Sequence, residues 1–238
     1  MTSDRAPIAV AIDAPDLGVL RTWVAAVAPV VSTVKIGLEV FCRDGATAVH
    51  AAREAAGAHE PAIFLDLKLH DIPATVAGAA AAVAPLRPAY LTVHASGGAE
   101  MIAAAAAALP DTRIVAVTVL TSLDAEALHR IGISGTPTQA AVRLASLAVE
   151  AGARAIVCSP QEVAAIRAVV PHDIVLITPG VRPLGADVND QRRVATPQQA
   201  LADGADLLVI GRPITAAADP AAAALAIAQD LTGRHDAA

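Results

Sequence analysis

The stretch from Phe64 to Pro73 places charged side chains in an otherwise apolar segment. Apolar residues dominate from Ile63 to Leu69, which is typical of a strand that is buried on both faces. Residues two apart on a strand point to the same side, so the side chains of Asp66 and Lys68 are predicted to lie on the same face of the strand. Burying two opposite charges costs on the order of several kcal/mol each unless they are paired. Asp71 adds a second carboxylate, and an unbalanced cluster of this kind more often marks a functional site than a stabilising device.

The elements that position these charges follow a repeating pattern in which short apolar runs alternate with Ala-rich amphipathic stretches. The predicted strands are Ile8–Ile12, Thr33–Ile36, Ile63–Leu67, Tyr90–Val93, Ile114–Val119, Ala155–Cys158, Ile174–Ile177 and Leu207–Ile210. Helices are predicted near residues 16–28, 45–56, 75–84, 98–108, 139–151, 161–169, 196–203 and 216–231. Eight strand–helix repeats predict a closed (β/α)8 TIM barrel with residues 1–238 as one domain, and a doubly wound open sheet is the alternative.

The active site of such a barrel lies at the carboxyl ends of the strands. Polar residues recur at those ends along the whole chain, and a ring of them around one mouth indicates a site. The members of this ring are Asp13, Lys35, Asp66, Lys68, His94, Thr118, Thr121, Ser159, Thr178, Arg182, Gly211 and Arg212.

Several of these residues have a purely structural interpretation as well. Asp13 precedes Ala-Pro and is equally suited to a turn or a helix cap. His94 fits a hydrogen-bonded core histidine as well as a ligand contact. Thr121 and Ser122 can both cap a helix that starts near residue 124, and for Ser122 we favour the cap. Lys35 lies between apolar residues, where a lysine without a partner loses its charge or destabilises the fold, so we favour a functional role for it.

The residues that follow the last two predicted strands indicate an anion-binding site. Gly211 allows backbone amides to approach an anion ahead of a helix, and Arg212 can add a bidentate clamp. Arg182, which also follows a strand, has a surface arginine as its structural alternative. Residues 178–197 form a long polar loop with Gly and Pro at both ends, the composition of a lid, from which Gln191 can reach a phosphate or a base.

Composition excludes several classes of function. The net charge of −6, one Trp, one Tyr and two Phe argue against a nucleic-acid surface. No uninterrupted apolar window predicts a membrane span, and the amino-terminal residues do not resemble a signal peptide, so a cytoplasmic protein is expected. Cys42 and Cys158 form neither a disulfide framework nor a CxxC pair, which fits a reducing compartment, and both are interpreted as small core residues.

A metal site is the main chemical alternative, since Asp66, His70 and Asp71 are possible ligands. Lys68 argues against it, because its ammonium lies on the same face as Asp66 and would repel a cation. Electrostatics without a metal is the simpler interpretation.

Five motifs within the range Ala11–Thr215 are similar to those of the bacterial orotidine 5′-phosphate decarboxylases. These motifs are Val34–Phe41, Asp66–Thr75, Ile177–Pro183, Asp190–Val194 and Ile210–Ile214. The Asp-x-Lys-x-x-Asp element is shared by a wider superfamily that includes metal-dependent phosphosugar lyases and hexulose-phosphate synthases. Those relatives carry a glutamate metal ligand at the position of Lys35, so Lys35 favours the decarboxylases.

The resemblance implies decarboxylation of orotidine 5′-phosphate to uridine 5′-phosphate, the last step of pyrimidine synthesis, with neither cofactor nor metal. It implies that Lys68 donates a proton to C6, while Asp66 and Asp71 hold this lysine and crowd the substrate carboxylate. It also implies a homodimer in which Asp71, with Ile72 and Thr75, completes the site of the partner subunit.

The same resemblance assigns the substrate contacts. Asp13 and Lys35 would bind ribose hydroxyls and Thr121 the pyrimidine edge. The phosphate contacts would be Gln191, Gly211 and Arg212, with Arg182 alongside. Two rival hypotheses stay open, namely a metal-dependent β-keto acid decarboxylase or aldolase on the same barrel, and a phosphoribosyl-binding barrel without catalysis.

Overall fold

A computed structural model describes residues 5–181 and 195–232, and its eight parallel strands close into a barrel. The strands are β1 Ala6–Ala11, β2 Val31–Gly37, β3 Ala62–Leu69, β4 Tyr90–His94, β5 Arg113–Val117, β6 Ala155–Val157, β7 Val175–Pro179 and β8 Leu207–Ile210. Each strand pairs with the next, and β8 returns to β1 through Val10 and Ile210. The predicted (β/α)8 barrel is therefore confirmed, and the open sheet is wrong. The assignment of residues 1–238 to one domain stays a prediction.

The helices surround the barrel, and the eight predicted helices are all present within a few residues. The helices are α1 Leu17–Val27, α2 Leu38–Asp44, α3 Ala46–Ala56, α4 Pro73–Val83, α5 Ala99–Ala108, α6 Ala125–Arg130, α7 Pro137–Glu150, α8 Val163–Arg167, α9 Pro197–Ala202, α10 Arg212–Thr215 and α11 Pro220–Thr232. The three additional helices α2, α6 and α10 have only 7, 6 and 4 residues, too few to show an amphipathic repeat in the sequence.

Side-chain caps fix where several helices begin. The Asp16 carboxylate accepts a hydrogen bond from the backbone amide three residues on, at 2.8 Å. Thr136 and Gln139 form a reciprocal capping box at the start of α7. The Asp124 side chain caps α6 by accepting a hydrogen bond from the backbone amide of Ala127, as Asp16 does for α1. The prediction that Ser122 caps this helix is therefore wrong. An aspartate directly before the helix outcompetes a serine two residues further away.

The barrel has an apolar core on each side of its wall. Inside the barrel, side chains from six of the eight strands fill the interior: Ala9, Phe64, Val115, Ala155, Ile177 and Leu207. Outside, a larger cluster packs the strands against the helices, and many of its helical members are alanines that allow close approach. The filled interior gives the carboxyl-terminal mouth a solid floor.

The two cysteines occupy different environments. Cys158 is buried, as predicted, whereas Cys42 lies exposed on α2. The interpretation of Cys42 as a core residue is therefore wrong, because the helix that turns it outward was not predicted.

Within residues 5–181 and 195–232, the structure contains no helix with the length and apolar character that crossing a membrane requires.

Replacing Leu207 by alanine tests the packing inside the barrel. Leu207 is 5% exposed in the interior cluster, so Leu207→Ala is expected to lower the free energy of unfolding by about 3 kcal/mol. Leu225 on α11 is 48% exposed, and Leu225→Ala is expected to change it by less than about 0.5 kcal/mol. Guanidinium unfolding of both variants measures the difference, and equal losses would contradict a packed interior.

Candidate active site

Three charged side chains meet where β2 and β3 end. The Lys68 ammonium lies 2.7 Å from Oδ1 of Asp66, and the Lys35 ammonium lies 3.2 Å from Oδ2 of the same carboxylate. The side chains of Lys35 and Asp66 are only 9% and 14% exposed, and that of Lys68 is 28% exposed. Asp66 is thus shared by two ammonium groups, which leaves one positive charge in excess at the mouth of the barrel.

The backbone at Lys68 departs from a regular strand. Leu65 pairs with Leu91 of β4, but the next pair is Leu69 with Val93, so four steps along β3 match two along β4. Lys68 itself has a φ of 49°, in the left-handed region that costs an L-residue about 1–2 kcal/mol. The predicted facing of Asp66 and Lys68 is therefore realised through an irregular strand end rather than through simple alternation.

Thr92 on β4 joins this cluster, although sequence reasoning did not identify it. Its fully buried hydroxyl accepts a hydrogen bond from the backbone amide of Lys68 at 2.8 Å and donates one to Oδ1 of Asp66 at 3.1 Å. The available signal was its position two residues before His94, which places both side chains on the same side of β4. A threonine in a strand is so common that this position alone indicates nothing.

Electrostatics keep the Asp66 carboxyl ionised. Burial by itself would raise its pKa, but the charges of Lys35 and Lys68 and the hydrogen bonds from them outweigh burial and hold the pKa below its usual value. The carboxylate is therefore available at neutral pH to orient both lysines.

His94 lies beside the charged cluster, at the end of β4. Its ring is 5.4 Å from the ring of His70 between centroids. Burial lowers the pKa of His94, and the neighbouring His70 and Lys68 lower it further, while Asp66 opposes them. The surroundings of His94 therefore favour its neutral form.

A cavity of about 220 Å³ opens directly above the charged cluster. Its polar lining comes from Lys35, Asp66, Lys68 and Thr121. Most of the remaining lining is apolar: Phe64, Val117, Val119, Leu120, Val157, Cys158, Pro179 and Val209. The structure thus places the predicted Thr121 in the same cavity as the three charges.

A second cavity of about 590 Å³ adjoins the first, and Pro179 and Val209 line both. It brings together Asp13, Gly211 and Arg212, as the sequence predicted. Asp13 and Arg212 are both exposed, while Gly211 is half-buried. Together the two cavities make up a recess at the barrel mouth, which is lined by residues at the carboxyl ends of β1, β2, β3, β5, β6, β7 and β8.

Gly37 lies at the junction of the charged cluster and Asp13. A Cβ atom at this position would stand 2.8 Å from Oδ1 of Asp13 and 3.3 Å from Nζ of Lys35. Asp13 and Lys35 therefore flank the same glycine, which leaves room for both side chains to face the recess.

The residues assigned to the partner's site lie on the surface of this chain. Asp71, Ile72 and Thr75 are exposed and do not contribute to the lining of either cavity. The Asp71 carboxylate accepts a hydrogen bond from the backbone amide of Ile72 at 2.6 Å.

Three other members of the predicted ring do not contribute to the lining of either cavity. Thr118, Ser159 and Thr178 are buried, and the hydroxyl of Thr118 donates to the carbonyl of Val157 at 2.9 Å. Thr178 follows the inward-facing Ile177, so alternation turns it toward the helices. The predicted ring therefore included residues after β5 and β6 and on β7 that do not line the site. Arg182 and Gln191 lie outside the described residues.

Metal ligands are not assembled in this recess. Among residues 5–181 and 195–232, no group of three His, Cys, Asp or Glu side chains is arranged to hold a metal ion. The two lysines that contact Asp66 occupy the space in which a cation would have to sit.

A model of the "Orotidine 5′-phosphate decarboxylase / HUMPS family" matches residues 6–227. The chain belongs to this family. The orotidine 5′-phosphate decarboxylase of Thermobifida fusca is 66% identical over 226 residues, which are 95% of this chain and 96% of that protein. The protein of the same name from Frankia casuarinae is 54% identical over 98% of this chain and 90% of its own length.

Two solved structures have a fold similar to that of this chain. The crystal structure of orotidine 5′-phosphate decarboxylase from Lactobacillus acidophilus matches with a TM-score of 0.81 at 33% identity, covering 95% of this chain and 99% of that chain. An uncharacterised conserved protein from Geobacillus kaustophilus matches with a TM-score of 0.81 at 32% identity, covering 94% of this chain and all of its own. The family resemblance predicted from the five motifs is confirmed.

The contacts of Asp66 with two lysines give a prediction about stability and pH. Asp66→Asn is expected to lower the free energy of unfolding by about 3 kcal/mol at pH 7, because two buried ammonium groups lose their counter-ion. The native pKa of Asp66 lies below its usual value, so the stabilisation by its charge is complete above about pH 4 and is lost as the pH falls toward the native pKa. Urea unfolding at a series of pH values from 3 to 7 measures this dependence.

The matched control for this experiment is Asp16→Asn. Asp16 caps α1 from an exposed position, and asparagine is an equally good cap, so a change of less than about 1 kcal/mol is expected. A deficit of Asp66→Asn that stays constant down to pH 3, or that is absent at pH 7, would show that the carboxylate is not held by the two lysines.

Proposed function

We propose that this protein releases carbon dioxide from orotidine 5′-phosphate to give uridine 5′-phosphate, the last step of pyrimidine synthesis. The observation that carries the proposal is the contact of Lys35 and Lys68 with opposite oxygens of Asp66, above which the smaller cavity opens. The names of the Thermobifida and Frankia relatives support the choice of substrate.

The two adjoining cavities suit the two ends of this nucleotide. The pyrimidine would occupy the smaller cavity, where Thr121 offers a hydroxyl to its polar edge and apolar side chains surround the ring. The phosphate would lie in the larger cavity beside Gly211 and Arg212. Asp13 and Lys35, which flank Gly37 between these ends, would bind the ribose hydroxyls.

The chemical problem is the charge that develops on the ring. When the bond between C6 and the carboxylate breaks, carbon dioxide leaves and the electron pair stays on C6, where no ring carbonyl can readily delocalise it. A preorganised ammonium group next to C6 stabilises that carbanion electrostatically. Lys68 would then transfer a proton to C6, which gives uridine 5′-phosphate and a neutral amine that takes up a proton from solvent.

Asp66 would serve this step by holding Lys68 in place. Its carboxylate, ionised because its pKa is lowered by the two lysines, accepts a hydrogen bond from Lys68 at 2.7 Å. A carboxylate at this position also crowds the carboxylate of the substrate, which disfavours the ground state relative to the transition state.

The contacts of the two lysines argue against a catalytic cation. A metal ion in the same place would meet two ammonium groups within hydrogen-bond distance of the Asp66 carboxylate. Metal-dependent chemistry of the β-keto acid decarboxylase or aldolase type is therefore disfavoured.

The first test compares the turnover of orotidine 5′-phosphate by the wild type with that by a variant that lacks the Lys68 amine. Incubation with orotidine 5′-phosphate is expected to change the ultraviolet absorbance, with or without a chelator, and Lys68→Ala is expected to lower kcat by at least about 10³-fold. Lys68→Arg is the matched variant, since a guanidinium keeps the charge but cannot release a proton near neutral pH.

Each result of this test has a defined meaning. Absence of turnover by the wild type, or an unchanged rate in Lys68→Ala, refutes the mechanism. Inhibition by the chelator favours the metal-dependent alternative. Binding of orotidine 5′-phosphate without turnover favours the alternative hypothesis of a phosphoribosyl-binding barrel without catalysis.

We propose in addition that the protein is a homodimer in which Asp71, Ile72 and Thr75 complete the partner's site. In support, these three residues are exposed and lie outside this chain's recess. Ile72 is 65% exposed, and Leu38 and Leu120, which follow β2 and β5 at the same end of the barrel, are 49% and 37% exposed. Apolar side chains around the mouth are suited to burial between two barrels.

Mixing two inactive variants tests this arrangement. If Asp71 acts in trans, Asp71→Ala and Lys68→Ala subunits regain one intact site in each mixed dimer. Equal mixing with full exchange is then expected to restore roughly a quarter of the wild-type activity, because half of the dimers are mixed and each has one intact site of two. Lack of recovery despite exchange shown by differently tagged subunits would refute the arrangement.

A further inference from the structure

We propose that Thr92 is a positioning residue whose hydroxyl holds both the backbone of Lys68 and the carboxylate of Asp66 in the geometry needed for proton delivery. This inference rests on the proposed function, because it assigns Thr92 a part in the same decarboxylation. The observation behind it is that one buried hydroxyl hydrogen-bonds to two members of the charged cluster.

The first of these bonds compensates for the irregular end of β3. The register between β3 and β4 shifts between Leu65 and Leu69, so the backbone of Lys68 lies inside the irregular part of the ladder. Its amide instead donates to the Thr92 side chain at 2.8 Å. The Thr92 hydroxyl thus takes the place of a backbone carbonyl as the acceptor for the Lys68 amide, which the shifted register would otherwise leave without a hydrogen bond.

The second bond sets the direction of the hydroxyl. A threonine hydroxyl has a single proton, and the Lys68 amide already occupies one of its acceptor sites. The proton is directed to Oδ1 of Asp66, the same oxygen that accepts from the Lys68 ammonium. Thr92 therefore fixes the two ends of Lys68, its backbone directly and its ammonium through Asp66.

The consequences for catalysis follow from the left-handed conformation of Lys68. With a φ of 49°, this residue would relax toward an extended conformation if its amide lost its partner. Relaxation would move the ammonium away from the position above which the smaller cavity opens. A displacement of about 1 Å at a reacting group costs roughly 10²-fold in rate.

Threonine is well suited to this position for a further reason. Its β-branched side chain has restricted χ1 freedom in a strand, and Thr92 is 0% exposed between its neighbours. The hydroxyl is therefore fixed by packing before any substrate binds, which is the condition for preorganisation.

Substitutions at Thr92 separate the hydroxyl from the shape of the side chain. Thr92→Val is nearly isosteric and removes both bonds, so kcat for orotidine 5′-phosphate is expected to fall about 10- to 100-fold, with KM within roughly 3-fold of wild type. Thr92→Ser retains the hydroxyl and is expected to stay within roughly 3-fold of the wild-type kcat. Should Thr92→Val fail to fold, Thr92→Ala replaces it, because Ser and Ala at this position differ only in the hydroxyl oxygen.

Thr112→Val is the matched control. Thr112 is 5% exposed, and its hydroxyl donates to the carbonyl of Pro88 at 2.8 Å, ahead of β5 at the opposite end of the barrel. This variant loses a buried threonine hydroxyl without touching the site, so its kcat and KM are expected to equal those of the wild type at a temperature where it is folded.

A spectroscopic readout makes the test independent of turnover. Of the 17 Lys and Arg residues only Lys35 and Lys68 are lysines, so protein grown with ¹³C-labelled lysine contains just two labelled side chains. The signal that Lys68→Ala removes belongs to Lys68. We expect this signal to shift in Thr92→Val and Thr92→Ala and to stay near its wild-type position in Thr92→Ser and Thr112→Val.

The possible outcomes are distinguishable. A Thr92→Val enzyme with wild-type kcat, a loss in Thr92→Ser as large as that in Thr92→Ala, or an unshifted Lys68 signal would each overturn the positioning role. A wild-type protein without turnover would refute the proposed function and a catalytic role of Thr92 with it, while the lysine spectra would still decide whether Thr92 holds Lys68. A fall in kcat at constant KM, joined to a shifted Lys68 signal that Ser restores, supports the proposal.

Discussion

The carboxylate of Asp66 lies between the ammonium groups of Lys35 and Lys68, and most other features of the mouth serve this contact. Two cations at such short distances from one anion are stable only if the anion stays ionised, which the lowered pKa of Asp66 ensures. The three side chains carry one unit of positive charge, which an anionic ligand or, in the proposed dimer, Asp71 of the other subunit would balance.

The use of lysine at this contact is informative, because this chain otherwise relies on arginine. Its 17 basic residues include only the two lysines, and both contact Asp66. Arginine would supply charge and more hydrogen bonds, but a guanidinium does not give up its proton in a protein. A site that only had to bind an anion would be served equally well by arginine, so the choice of lysine favours an acid that transfers a proton.

The sequence predicted the barrel, because eight strand–helix repeats can be recognised along the chain, and it predicted that Asp66 meets Lys68, because two opposite charges in a buried segment have to be paired. It did not reveal the shifted register of β3 or the left-handed backbone of Lys68, since these depend on how β3 meets β4 in space. Thr92 was missed for the same reason, because its hydrogen-bond partners come from another strand. The polar ring was too broad, since position near a strand end does not tell whether a side chain such as Thr178 faces the mouth or the helices.

The two cavities show how one end of a ligand can influence chemistry at the other. The charged cluster and Arg212 lie in different cavities that share Pro179 and Val209, and Asp13 and Lys35 flank Gly37 between them. A side chain at Gly37 would press against both flanking groups, so glycine keeps this connection open. Because Lys35 contacts Asp66 as well, a ligand held by Asp13 and Lys35 acts on the same carboxylate that orients Lys68. On the proposed function, binding energy from the phosphate and ribose would be used to align C6 with the lysine, which raises the rate of the chemical step rather than affinity alone.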